Sequence, residues 1–109
     1  MPLEISRRDI LKINADIIVD PSDHFLSGSG SIDKQIHEAA GEEFDRECKR
    51  IAYLDTGKAL ITDSFALKTC KHIIVTCGPV YIDGNHNEEE LLASCYREAL
   101  KLAIEKKEI

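Results

Sequence analysis

Short apolar runs alternate with amphipathic stretches along the chain, and these two patterns predict strands and helices respectively. Four of the apolar runs favour strands because they are brief, and the most compact of them are rich in β-branched residues. The four predicted strands are Leu3–Ser6, Ala15–Val19, Gly57–Thr62 and Lys71–Cys77. The second ends at Asp20-Pro21, where a proline favours a strand end, and a helical turn is expected before it, around Asp9–Lys12.

Three amphipathic stretches predict helices. The first starts with Ser31 as its N-cap and stops at Gly41, and the second covers Glu42–Ile51. The third follows Asn87, which with Glu90 resembles a capping box. Its core stripe consists of Leu91, Leu92, Cys95, Ala99, Leu102 and Ala103. The resulting order β, β, α, α, β, β, α predicts one α/β domain with a mixed sheet.

Composition narrows the class of protein. Hydrophobic residues make up 43% and charged residues 31% of the 109 residues, which is ordinary for a globular domain. The net charge of -6 disfavours binding to duplex nucleic acid, since that depends on Lys and Arg. No apolar run could span a membrane and Met1–Arg8 contains no apolar leader, so we expect a cytoplasmic protein without a membrane partner. The four cysteines lack C-x-x-C spacing, which favours buried, reduced thiols, and we expect neither a metal site nor a cofactor.

A loop rich in glycine and serine, Ser27–Ser31, lies between a predicted buried strand and a predicted helix. Open α/β sheets bind ligands at such positions, and glycines let backbone N–H groups approach an anion near a helix N-terminus. No Gly-Lys-Ser/Thr follows, so the segment is not a P-loop, and Asp33 replaces the third glycine of a dinucleotide-binding fingerprint. The pattern alone leaves two interpretations, a flexible connector and a phosphate-binding loop.

Candidate acids and bases flank this loop. Asp33 and His37 are four residues apart on one helix face, where they could form an acid/base or metal pair. The alternative is a first-turn acid favoured by the helix dipole, worth about 0.3–1 kcal/mol, next to a surface or hydrogen-bonded histidine. Asp9 and Asp23 are typical of turns and caps.

Five segments in order resemble the macro domain, the family that binds ADP-ribose. Arg8–Val19 is similar to the family's Gly-Asp-Ile opening and the strand after it. Leu26–Gly41 is similar to the signature Leu-Leu-Gly-Gly-Gly-Gly-Val-Asp-x-x-Ile-His-x-Ala-Ala-Gly. Thr56–Thr62, Val75–Tyr81 and Glu90–Tyr96 match the segments that follow. The resemblance implies a three-layer fold with a mixed sheet and a pocket for ADP-ribose or a related nucleotide diphosphate.

The resemblance also implies roles for individual residues. Asp9 and the backbone of Ile10 match the contacts to adenine, and Asp33 matches the acid that orients or activates water in hydrolytic members. An active enzyme would therefore hydrolyse ADP-ribosyl derivatives, including the ester of O-acetyl-ADP-ribose. The loop around the diphosphate and distal ribose is matched by Gly28, Ser29, Gly30, Ser31 and Ile32.

The chain departs from the family pattern in three places, one of which is Gly28-Ser29-Gly30-Ser31, where the family has four glycines. Asp20-Pro21-Ser22-Asp23 stands where the family has Asn-Ala-Ala-Asn, and Asp23 replaces an Asn that contacts the distal ribose. The family continues beyond the position of Ile109 with further strands, a second Gly-rich loop and a helix. We therefore expect a truncated domain that binds ADP-ribose derivatives, with their hydrolysis as a further option. The alternative is a catalytically silent remnant acting as a binding or self-association module, and we expect a homodimer through the exposed edge of Ala15–Val19.

Overall fold

The computed structural model describes residues 3–107, and the chain end at Ile109 lies outside them. Its sheet has three strands in the order β1-β3-β2: β1 (Ile17–Ser22), β2 (Ala59–Asp63) and β3 (His72–Cys77). β1 runs parallel to β3, with Val19 opposite Ile74, and β2 runs antiparallel to it. The mixed sheet expected from the sequence is confirmed.

Helices cover both faces of the sheet and complete a three-layer α/β fold. Helices α1 (Ser31–Ala40) and α2 (Glu42–Ile51) lie on one face, and α3 (Glu88–Lys107) packs against β2 and β3 on the other. The α1/α2 side holds the main core, in which Ile36 and Phe44 are fully buried. This burial follows from sequence, because both residues lie on the apolar stripes of their amphipathic helices.

Strand β1 continues beyond the stop expected at Asp20-Pro21 and ends at Ser22. Pro21 lacks an N–H group and is tolerated only where a strand needs no donor at that position. β1 meets this condition, because among residues 3–107 it pairs only with β3 and has a free outer edge.

The strand expected at Leu3–Ser6 is wrong, since residues 3–9 form no regular element. Leu3 is 85% and Ile5 90% exposed. A strand is stable only beside a partner that satisfies its N–H and C=O groups, and no described strand borders this segment. The turn expected next is confirmed, because the Lys12 N–H donates to the Asp9 carbonyl over 3.0 Å.

Two helix starts differ from their expected form. The N-cap of α1 is Gly30, one residue before the expected Ser31, and it makes no side-chain cap. Asn87 has a φ of 63°, whereas an N-cap residue needs an extended backbone, so the expected capping box does not form. Glu88, the first residue of α3, instead binds backbone N–H groups of the preceding turn. The bounds of α2 agree with the sequence.

All four cysteines are buried free thiols, as expected. Burial raises the pKa of Cys48 to about 12, so this thiol stays protonated and inert. Within the described chain, the helices are too short or too polar to cross a membrane.

Candidate functional site

The candidate site lies where the two parallel strands end. Ser22 and Cys77 are opposite each other at the last position of the β1–β3 pairing. The Gly/Ser loop leaves β1 there and leads into α1, while Gly78 continues the chain from β3. The carboxyl ends of parallel strands are the usual place for ligands in such sheets.

The carboxylate of Asp23 holds the Gly/Ser loop together by accepting hydrogen bonds from residues of the loop. Its Oδ1 accepts hydrogen bonds from the N–H groups of Phe25 at 3.0 Å and Ser27 at 3.1 Å. Its Oδ2 accepts from the hydroxyls of Ser27 and of Ser29, the latter at 3.1 Å. The Ser27 hydroxyl above all lowers the pKa of Asp23 to about 2, so the carboxylate is ionised. The sequence interpretation of Asp23 as a turn residue agrees with this geometry.

Asp33, in the first turn of α1, connects the same loop to this helix through hydrogen bonds. Its Oδ2 accepts hydrogen bonds from the Ser22 hydroxyl and from the Gly28 N–H, both at 3.1 Å. Asp33 is a first-turn acid of α1, and it lies in the core, because it is only 1% exposed. The first turn of α1 packs against the end of β1, and this turns Asp33 inward.

His37 lies one turn further along α1, beneath the loop. Its Nδ1 is 2.6 Å from Oδ1 of Asp45, and its ring packs on Phe44 at 4.7 Å between centroids. Its Nε2 is 3.2 Å from Oδ1 of Asp33. Gly28 covers this ring so closely that a Cβ atom at position 28 would lie 3.1 Å from it.

Asp20 completes a buried group with Asp33 and His37, and the sequence comparison assigned it no role beyond its place in Asp20-Pro21-Ser22-Asp23. Its side chain is fully buried on the α1 side of β1. Burial, followed by the neighbouring carboxyl group of Asp33, raises the pKa of Asp20 to about 9. One ligand-type atom from each of the three residues lies within 4.8 Å of the others. The only available signal was an acid at the end of an apolar strand.

An apolar groove of about 550 Å³ opens beside β1 on the opposite face of the sheet, toward α3. Its volume is within the range of small-molecule pockets. The structure brings Ile10 and Ile32 together in its lining, along with Val19 and Tyr96. Leu92 also lines it and is half exposed, so the expected core stripe of α3 is only partly buried.

Asp9 lies apart from these contacts. It is exposed in the turn before β1, and its Oδ1 accepts a hydrogen bond from the Leu11 N–H at 3.0 Å. The turn that it stabilises presents Ile10 to the groove. The structure therefore gives Asp9 a local backbone partner, and its contact with an adenine remains a prediction.

A second cavity, of about 390 Å³, is lined by a Cys–His pair among other residues. His24 Nδ1 is 3.0 Å from the Leu54 carbonyl oxygen and 3.5 Å from Cys77 Sγ. Burial raises the pKa of Cys77, which disfavours the nucleophilic thiolate. Because Nδ1 of His24 is already hydrogen-bonded to the carbonyl oxygen of Leu54, His24 is a poor base for the Cys77 thiol. The pair therefore has a structural role.

Comparison with known proteins agrees with this fold. The family model of the macro domain matches residues 19–109, and the chain belongs to that family. A macro domain-containing protein of Xanthomonas axonopodis pv. citri is 41% identical over 109 residues, which covers 94% of this chain and 60% of the relative. The chain thus covers 60% of that relative and 54% of a macro domain-containing protein of Methanosarcina mazei, so it spans little more than half the length of such relatives.

Solved structures show the same architecture. The Oceanobacillus iheyensis macrodomain with ADP is 38% identical with a TM-score of 0.85, covering 92% of this chain and 56% of that one. A mutant of the same macrodomain has been solved with ADPR. The Trypanosoma brucei macrodomain in complex with ADP is 30% identical with a TM-score of 0.75, covering 85% and 38% respectively.

Proposed function

We propose that the chain binds ADP-ribose or a related nucleotide diphosphate, with the diphosphate held by Gly28–Ile32. The observation that carries this proposal is the start of α1. The helix begins at the end of the loop without a side-chain cap, so its first backbone N–H groups remain available to an anion. Backbone donors suit a chain of net charge -6, since they bind phosphate without basic side chains.

The groove beside β1 offers a place for the part of the ligand beyond the diphosphate. Ile32 belongs both to the loop–helix junction and to the groove, so the two regions adjoin. The apolar lining formed with Val19 and Ile10 suits the flat face of an adenine. Solved relatives that hold ADP or ADPR are consistent with this arrangement.

Calorimetric titration with ADP-ribose tests the proposal, with Gly30→Val as the informative variant. Gly30 has an extended backbone with a φ of -78°, and a Cβ there would meet only Asp33 Cβ at 3.8 Å. The fold therefore tolerates a side chain that blocks close approach of a phosphate. We expect affinity to fall about tenfold or more, with an unchanged melting temperature.

Gln35→Val is the matched control, because Gln35 is an exposed residue of the same helix beyond its first turn. It should leave the affinity unchanged. Absence of binding to the unmodified chain, or equal binding by Gly30→Val, would reject the loop as the diphosphate site.

Hydrolysis of an ADP-ribosyl ester is a second candidate, with Asp33 orienting or activating water. Its support is geometric: Oδ1 of Asp33 has no hydrogen-bond partner, whereas Oδ2 is occupied. Asp33→Asn should lower the hydrolysis rate of O-acetyl-ADP-ribose about 100-fold or more. An unchanged rate would remove Asp33 from the reaction, and no hydrolysis by the unmodified chain would leave binding as the function.

Self-association is the candidate from a different class, and we propose a homodimer through the free edge of β1. Next to this edge, several apolar side chains of α3 are half or more exposed, including Tyr96, Leu100 and Ile104. An unpaired strand edge beside apolar surface is a feature that proteins usually cover.

A further inference from the structure

Four buried polar atoms without a hydrogen-bond partner meet beneath the Gly/Ser loop. They are both carboxylate oxygens of Asp20, Oδ1 of Asp33 and Nε2 of His37. Unpartnered buried polar atoms are costly, at about 1–3 kcal/mol each, and few survive in native proteins without a reason. Their convergence on one point indicates that a positively charged species is needed there.

The protonation of His37 strengthens this argument. Its Nδ1 lies 2.6 Å from Oδ1 of Asp45, and a carboxylate at that distance accepts the Nδ1 proton. In the neutral imidazole, Nε2 then presents a bare lone pair, 3.2 Å from the lone pairs of Asp33 Oδ1. Two facing lone pairs repel one another unless a cation or a proton lies between them.

We propose that Asp20, Asp33 and His37 bind one divalent transition-metal ion, Zn²⁺ or Mn²⁺. Two carboxylate oxygens and one imidazole nitrogen suit such ions, and the ion replaces the proton that Asp20 holds in its absence. Ligand atoms on one ion lie about 3–3.5 Å apart at bond lengths near 2.1 Å. The three donor atoms are already within 4.8 Å of each other, so a small inward adjustment completes the site.

Neighbouring residues hold two of the three proposed ligands in place, as is usual for metal ligands in proteins. Asp45 orients the His37 ring and fixes its tautomer. Ser22 and Gly28 occupy Oδ2 of Asp33 and leave its Oδ1 directed at His37. The ion would lie at the floor of the proposed ligand loop, but the inference does not depend on ADP-ribose binding.

A second acidic group with a histidine provides an internal contrast. Asp83, His86 and Glu88 also offer donor atoms within 4.8 Å of each other. Their oxygens, however, already accept hydrogen bonds: Glu88 binds four backbone N–H groups and Asp83 binds the N–H of Asn85 and the His86 ring. This group, in which Asp83 and His86 are exposed and Glu88 is buried, should bind no ion.

The test is calorimetric titration of the untagged, chelator-treated chain with Zn²⁺ and with Mn²⁺. We expect one equivalent to bind, and Asp20→Asn to weaken binding about 100-fold. The asparagine keeps the size of the side chain, and circular dichroism checks the fold. Asp83→Asn is the matched control and should bind as the unmodified chain does.

Paramagnetic broadening of NMR signals by Mn²⁺ is a second measurement, and it needs no variant. Amide signals of Gly28, Asp33 and His37 should disappear, while those of Gly84 and His86 persist. Failure to bind either ion would show that a proton alone bridges the group and would overturn the proposal. Binding that Asp83→Asn removes, or broadening centred on Gly84, would overturn it as well.

Discussion

At the scale of single residues, Gly28 connects the conformation of the loop with the buried group beneath it. Its φ of +76° is one that residues with a Cβ rarely adopt, and its N–H donates to Asp33. A side chain at position 28 would also press on the His37 ring. The glycine is therefore required by the fold, independently of any ligand.

We expect Gly28→Ala to lower the free energy of unfolding by about 1–2 kcal/mol from the backbone conformation alone, with crowding against His37 adding to the loss. Gly30→Ala is the control, because the backbone there is extended and the space open. Urea denaturation of both variants gives the comparison. Equal stabilities would show that the loop relaxes freely around position 28.

The sequence indicated part of this residue-level picture. The Gly/Ser loop, Asp33 and His37 were recognisable because they are close together in the chain and share one helix start. Asp20 could not be grouped with them, since the contact depends on how α1 packs against β1. Whether an acid at a helix start faces solvent or the core is also decided by that packing, so the burial of Asp33 could not be predicted from the sequence.

At the scale of elements, Glu88 determines how α3 begins. Its Oε2 accepts hydrogen bonds from the N–H groups of Ile82, Asp83 and Gly84, and its Oε1 accepts from that of His86. These bonds, that from Ile82 foremost, lower the pKa of Glu88 from 4.5 to about 2. The ionised carboxylate therefore joins the preceding turn to the first turn of the helix.

This linkage predicts a pH dependence of stability. A pKa lower in the folded than in the unfolded chain stabilises the fold above the unfolded value and loses that effect as the pH falls from 4.5 toward 2. Glu88→Gln should therefore melt at a lower temperature than the unmodified chain at pH 6, and the difference should shrink at pH 3. Glu89→Gln, an exposed neighbour, should show no such trend. A difference for Glu88→Gln that is constant with pH would contradict the assignment.

Elements whose sequence pattern is strong on its own were predictable, whereas strands whose extent depends on pairing with other strands were not. Helix α2 has the expected bounds because Gly41 precedes it and its apolar stripe is regular. Leu3–Ser6 shares the apolar character of a strand but lacks a neighbour among the described strands. Strand β1 passes through Pro21 because an edge strand tolerates a missing donor, a condition visible only once the sheet order is known.

At the scale of the whole molecule, the free edge of β1 and the exposed apolar side of α3 face the same region. Tyr96 and Leu100 line the groove that also contains Val19 of β1. This continuous surface is the basis of the proposed homodimer.

Sedimentation velocity tests the dimer with two neighbouring exposed positions on α3. We expect the unmodified chain to sediment at twice its 12.2 kDa mass. Leu100→Glu places a charge on the apolar surface and should yield monomers, whereas Lys101→Glu should leave the dimer intact. A monomeric unmodified chain would reject self-association while leaving ligand binding untouched.

The most direct test of the central claim is an NMR titration of the ¹⁵N-labelled chain with ADP-ribose, which locates the ligand as well as detecting it. The account predicts the largest amide shifts at Gly28–Asp33, with further shifts at Ile10 and Val19 along the groove. The amide signals of β2, which is the edge of the sheet opposite β1, should not shift. Shifts concentrated at β2, or no saturable shifts in Gly28–Asp33, would contradict a diphosphate site at the start of α1.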